Sequence, residues 1–256
     1  MVGDNKAARA GDIAGGHTVR RYDQELAKLR GIILDMGQRV IEQTQAAVAA
    51  VLDGEETQAY RVLDREPQID YLSLDADEEI FRVIARRQPT AVDLRIVLAL
   101  SRIAGDVERA GDKAVRIARQ SLALRESGIG QGGISSDALK DLLRKLDDQA
   151  CCMFERSIQA VAGFDVELAL GVFEDEGRLF DASDAARDLL GQEDLAGFTP
   201  RQIVCLLTST HALERIGNHA SNIAEQVIYV AVGKDIRYRN REILIETLRR
   251  DPKSSA

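Results

Sequence analysis

The chain has 256 residues, with 42 acidic against 34 basic ones and a formal net charge of -8. That balance argues against a nucleic-acid backbone or an anionic bilayer as a general partner and favours cationic ligands. Hydrophobic residues make up 45% and aromatics only 4%, with no tryptophan, so the core must come from Leu, Ile, Val and Ala, which suits packed helices better than a β-sandwich.

The start, Met1 to Gly16, is polar and rich in Gly and Ala, lacks the apolar centre of a signal peptide, and reads as a flexible tail. From there apolar residues recur at three- and four-residue steps. Leu26, Leu29, Ile33, Met36, Val40, Ala47 and Val51 predict a first helix ending near Asp53-Gly54. A second runs from about Glu55 to Arg87 with Val62, Ile69, Leu72, Ala76, Ile80 and Val83 inward, and Pro67 should kink or restart it. The third follows Gln88-Pro89-Thr90 and carries Ile96, Leu100, Ile103, Val107, Ala110, Ala114 and Ile117, the seam of a bundle. The Gly/Ser-rich stretch SGIGQGGISSD (127–137) interrupts the periodicity and marks a domain boundary.

The programme then repeats. Helices are expected from about Ser136 to Gly163, from about Asp165 to Leu190, and after Thr199-Pro200, where Leu206, Leu213, Ile216, Ala220, Ile223 and Val227 line one face. The fold class is therefore all-α, two tandem three-helix bundles related by internal duplication. The expected divisions are a tail at 1–16, one bundle at 17–127, another at 128–235 and a tail at 236–256. No window approaches the roughly 18 apolar residues of a membrane span, so a cytoplasmic location is expected. Cys151 and Cys152 are adjacent and Cys205 is remote; they form neither a disulfide framework nor a CxxC pair and read as small apolar residues.

The duplication is explicit in GDVERAGDKAVRIARQ (105–120) and HALERIGNHASNIAEQ (211–226). These match at seven of sixteen positions, among them Glu108/Glu214, Arg109/Arg215 and Gly111/Gly217, where chance would give roughly one. Glu108 and Asp112 are i,i+4 and share a helix face. Like charges so placed cost a few tenths of a kcal/mol and a mid-helix glycine about 1 kcal/mol, which a cation between the carboxylates would offset. Glu66 and Asp70 repeat the spacing on the neighbouring helix. In an antiparallel bundle the four carboxylates converge with no Lys or Arg on the motif positions, a donor set suited to magnesium, manganese or ferric iron, with zinc a further candidate. The same spacing on a solvated face, in a metal-free helical scaffold, is the competing reading. A di-metal carboxylate oxidase would need Glu-x-x-His on two helices, and no histidine here has an acidic residue three positions before it. P-loop, GxSxG and HExxH motifs are absent, so no enzymatic turnover is expected.

These two copies, with RQPTAVDLRIV (87–97) and the D-x5-D spacing of Asp64/Asp70 and Asp175/Asp181, closely resemble the PhoU family of phosphate-transport regulators over about residues 17–238. The resemblance implies metal-binding E(D)xxxD motifs at Glu66, Asp70, Glu108, Asp112, Asp181, Glu214 and Asn218. It further implies a homodimeric negative regulator of phosphate homeostasis, which reaches the membrane only through its partners. Those partners would be the ATPase subunit of a phosphate ABC transporter and a phosphate-sensing histidine kinase. The second half departs from the pattern: Asn218 stands where the motif has Asp, and Gly177 where Glu66 should recur, leaving Asp181 alone. Asn is a weaker ligand than a carboxylate, so the first copy reads as the retained site; in the second, His211 lies three residues before Glu214 and could supply a nitrogen, though an ordinary helix-surface histidine is the favoured reading.

Overall fold

The computed structural model describes residues 8–129, 132–191 and 197–233, with side chains described from residue 21 onward. Among these residues there are six helices and no strand: α1 (Ala8–Asp53), α2 (Glu56–Arg87), α3 (Ala91–Glu126), α4 (Asp137–Gly163), α5 (Val166–Gly191) and α6 (Pro200–Val232). Helix α1 begins well before the expected start. Residues 8–16 continue it, because Ala8, Ala10 and Ala14 favour a helix strongly enough to carry its glycines. The region 236–256, expected as a tail, lies outside the described residues.

Helix boundaries follow local chemistry. Ser136 caps α4 by accepting the Leu139 N–H at 3.3 Å, and Thr199 with Gln202 forms a reciprocal capping box at the start of α6, with Pro200 just inside. Gln88, Phe164 and Gly233 end α2, α4 and α6 in the left-handed region. Pro67 does not restart α2, which runs unbroken through it. Its ring faces solvent, and packing of the opposite face onto α1 and α3 outweighs the missing backbone hydrogen bond.

Helices α1, α2 and α3 pack on one another, as do α4, α5 and α6. The two sets also share a core: α3 packs extensively on α6 and α1 on α4, so α1, α3, α6 and α4 form a closed ring with α2 and α5 flanking it on opposite sides. Leu29, Ile33, Met36, Leu100, Ile103 and Phe154 are completely or almost completely buried in that continuous core. Close helix approach depends on glycine. A Cβ on Gly37 would lie 2.7 to 2.9 Å from Ile158, and one on Gly111 would lie 3.1 Å from Ile69.

Residues 132–134 of the Gly/Ser-rich segment after α3 are fastened to the end of α1 and the core. Ile134 is buried, the Gly132 N–H donates to the Asp53 carbonyl at 3.3 Å, and Gly133 (φ +67°) leaves no room for a Cβ against the Leu52 carbonyl. Across the same end, Gln202 Nε2 donates to the Ser127 carbonyl at 2.9 Å and ties the start of α6 to the end of α3.

Candidate metal centre

Helices α2 and α3 run antiparallel, with Ile69 seated over Gly111. This crossing lines one narrow cleft with Glu66 and Asp70 of α2, Glu108, Asp112 and Val115 of α3, and Gln43 of α1. Glu66 and Glu108 are half-buried, whereas Asp70 and Asp112 are exposed. Burial, and then the negative charges of Asp112 and Asp70, push the Glu108 carboxyl above its ordinary range against the opposing pull of Arg109 and Lys113. Gln43 is 3% exposed, and its Oε1 has no hydrogen-bond partner although it borders the cleft. A buried amide oxygen without a donor costs about 1–3 kcal/mol, and this cleft supplies only further acceptors.

Two features differ from the expected arrangement. Glu66 is not free of basic neighbours: Arg119, two turns beyond Asp112 on α3, donates to both of its carboxylate oxygens at 3.3 Å. Among the described residues, moreover, no three His, Cys, Asp or Glu side chains form a finished metal-holding group. Gly111 does not open the backbone toward the carboxylates either. Its missing Cβ is the space that Ile69 and Val40 occupy.

The second copy is built differently. Ser183 Oγ and Arg187 Nη1 each donate to Glu214 Oε2 at 2.7 Å, so a guanidinium neutralises the carboxylate where the first copy gathers like charges. Asn218 is half-buried, while Asp181 and His211 are exposed. The alignment of Asp70 with Asp181 is one residue out. Leu179 sits over Gly217 as Ile69 sits over Gly111, so the counterparts of Glu66 and Asp70 are Glu176 and Phe180, and Asp181 corresponds to Tyr71. Burial agrees, since Ala59, Val62, Ile69 and Ala76 pair in this register with buried Ala169, Val172, Leu179 and Ala186. The lost charge is thus at Phe180 and Asn218, not at Gly177.

A further polar cluster, invisible to the sequence reading, lies where α3 meets α6. Asp106 Oδ1 accepts from Asn222 Nδ2 at 3.2 Å and Arg109 Nη2 at 3.0 Å, and sits 2.9 Å from His219 Nδ1. Burial would raise the Asp106 carboxyl, but the hydrogen bonds from His219, Arg109 and Asn222 prevail and hold it below its ordinary value. The pairing joins residues 113 apart; the available clue was that Asp106 and His219 differ in kind from their repeat counterparts, Ala212 and Lys113.

Two similar three-helix sets, with an acidic cleft in one and a carboxylate paired with Arg187 at the matching place in the other, define a duplicated helical-bundle protein. The chain belongs to the PhoU family. The PhoU domain model matches residues 33–121 and again 143–227. Phosphate-specific transport system accessory protein PhoU homologues are 34% identical to it in Pseudomonas putida, over 87% of this chain and 85% of that one, and 34% identical in Pseudomonas aeruginosa, over 87% and 90%. The crystal structure of PhoU from Pseudomonas aeruginosa superposes with a TM-score of 0.75 at 33% identity, covering 83% of this chain and all of that one. The phosphate transport system regulatory protein PhoU from Streptococcus pneumoniae shares the fold with a TM-score of 0.73 at 20% identity, over 84% of this chain and 98% of that one. No helix among the described residues is long and apolar enough to cross a membrane.

Proposed function

We propose that this chain is a cytoplasmic negative regulator of the phosphate-starvation response, acting without turnover as an adaptor between the ATPase of a phosphate ABC transporter and a phosphate-sensing histidine kinase. The observation that carries the reading is the ordered match of both halves to accessory proteins of phosphate-specific transport. In a deletion strain, phosphate-starvation promoters should stay on in phosphate-rich medium, and the chain supplied in trans should switch them off. Normal repression in the deletion strain would contradict the proposal.

The cleft supports a cation as part of that function. Asp70, Glu108 and Asp112 would hold it, with Gln43 Oε1 as a neutral donor and Glu66 joining once it is released from Arg119. Such a donor set fits a hard divalent or trivalent ion such as magnesium, manganese or ferric iron. The ion would fix the α1, α2 and α3 surfaces relative to one another. Glu214, held by Arg187 and Ser183, is left out of that site, as are Asp181, which falls at the place of Tyr71, and the uncharged Asn218. Elemental analysis of chelator-free protein should find metal in the natural chain and in Glu214→Gln but not in Glu108→Gln/Asp112→Asn. Equal metal content in all three would place the metal away from this cleft, and no metal in any of them would point to the metal-free scaffold, the reading that the Arg119–Glu66 pair favours.

A further inference from the structure

Helix α3 carries a second line of charge, opposite in sign to its cleft. Arg95, Arg102, Arg109 and Arg116 recur every seventh residue, which keeps them within a narrow sector of the helix. That sector borders α6. The Arg95 guanidinium lies over the Tyr229 ring, 6.0 Å from its centre and beside Gly233, and Arg102 Nη1 donates to Gln226 Oε1 at 3.3 Å. Arg102, Arg109 and Arg116 are exposed and Arg95 is half-buried. Among the described residues Arg109 alone of the four has a carboxylate partner, Asp106, and the buried Nε of Arg95 has no hydrogen-bond partner. The α6 residues beside the line, Asn222, Gln226, Tyr229 and Gly233, are neutral. In a chain of net charge -8, where carboxylates are plentiful, arginines left facing amides are not required by the fold. The duplicate helix confirms this, since α6 has Arg201, Thr208, Arg215 and Asn222 at the same places and keeps half of the line.

We infer that the α3–α6 face docks an acidic helical segment of a partner protein, whose carboxylates lie along the arginine line. Three observations select that occupant. First, successive arginines stand about 10 Å apart along the axis, so a compact oxyanion meets one or two of them. A helix with Asp or Glu at every seventh residue meets all four over roughly 32 Å. Second, the antiparallel pair α3 and α6 leaves a furrow that none of the described helices covers, and a helix packs naturally in such a furrow. Leu98, 42% exposed between Arg95 and Arg102, offers an apolar anchor there. Gly105, between Arg102 and Arg109, leaves the α3 backbone open to a large side chain, because a Cβ at that place would meet only the Arg109 guanidinium at 3.9 Å. Third, the positive charge forms a line and not a field. Glu108 and Asp112 border it on the α2 side, so an anionic bilayer would meet both signs, whereas a narrow segment can follow one.

This inference stands apart from the phosphate and cation readings, and its test is run in chelator. A fluorescein-labelled helical peptide of about 25 residues, with Glu at every seventh position and Leu and Ala between, should raise its anisotropy on titration with the full chain. A peptide with Lys for each Glu should not. Affinity should fall several-fold between about 50 and 200 mM salt. Arg102→Glu/Arg116→Glu should weaken binding about 10-fold or more with the helical circular dichroism unchanged, because both side chains are exposed, and Arg102→Lys/Arg116→Lys should keep most of it. Arg61→Glu/Arg144→Glu makes the same change in net charge on other exposed faces and should weaken binding about two-fold at most. Should the first pair misfold, Arg116→Glu alone should still cost several-fold. An acidic peptide that does not bind, or equal losses from the two glutamate pairs, would overturn the proposal. So would binding to phosphatidylglycerol vesicles in place of the peptide, the mark of a membrane-facing surface.

Discussion

Replacing Glu108 by Gln should stabilise the protein when cations are removed and destabilise it relative to wild type when they are added. The expectation follows from the cleft. Burial raises the Glu108 pKa, as do Asp112 one turn away on its own helix and Asp70 across the crossing, against the opposing pull of Arg109 and Lys113. At ~0.2–0.5 kcal/mol per like-charge pair, removing the charge should gain about 0.5–1 kcal/mol in chelator. The sign with pH is fixed. A carboxyl whose folded pKa lies above its ordinary 4.5 destabilises the fold when ionised, so the gain should be full above the folded value, shrink as pH falls through it, and vanish below about 4.5. A cation at 100 times its dissociation constant stabilises the wild type by about 2.7 kcal/mol, and the variant by far less because a central donor is missing. Urea unfolding of both proteins, in chelator and with manganese or magnesium, reads both effects. A variant less stable than wild type in chelator, or one stabilised equally by the cation, would refute the reasoning.

Burial, opposed by the Cys151 hydrogen bond and assisted by Asp148, pushes the Asp147 carboxyl up to about 6, so its ionised form opposes folding above that pH. Asp147→Asn should therefore be more stable by about 2–3 kcal/mol at pH 7 to 8, and the gain should disappear toward pH 4, as measured by urea titration at several pH values. Asp106→Ala strands His219 and Asn222 in the α3–α6 interface and should cost about 2–4 kcal/mol at neutral pH. Because the Asp106 pKa is depressed, its contribution is present above the ordinary 3.8 and lost on acidification below it, so wild type and variant should converge only in strong acid. Gly133→Ala must resolve a backbone collision with Leu52 at positive φ and should cost about 2 kcal/mol or more, whereas Gly128→Ala, with open space around it and φ +100°, should cost less in the same melting assay.

The helices were legible because their apolar residues keep the helical period, and the repeat was legible because α3 and α6 retain Glu, Arg and Gly at matching places. The carboxylates of the first cleft could be grouped from spacing alone, since one turn separates each pair and a short connection makes α2 and α3 antiparallel. The register of α5 could not. Asp181 offers a plausible partner for Asp70, and only the seating of Leu179 over Gly217 shows that Phe180 holds that place. Arg119, Arg187 and Gln43 also escaped notice, because nothing in a helical period says which long side chain reaches across to a neighbour. The segment at 127–137 looked like a linker by composition. Ile134 was the sign that part of it packs, an apolar residue that the structure buries.

The ring formed by α1, α3, α6 and α4 bears on ancestry. Each helix in its two cross-set contacts meets its own duplicate, α1 with α4 and α3 with α6, which is the pattern of an isologous homodimer. The covalent chain thus has the layout of two once-separate subunits fused after gene duplication, with the old dimer contact now an internal core. Fusion frees the two sides to diverge, since a change in one half is no longer imposed on the other. The Asp106–His219 pair and the arginine at Glu214 are both asymmetries of that kind, out of reach of a symmetric ancestor whose every substitution would have appeared twice.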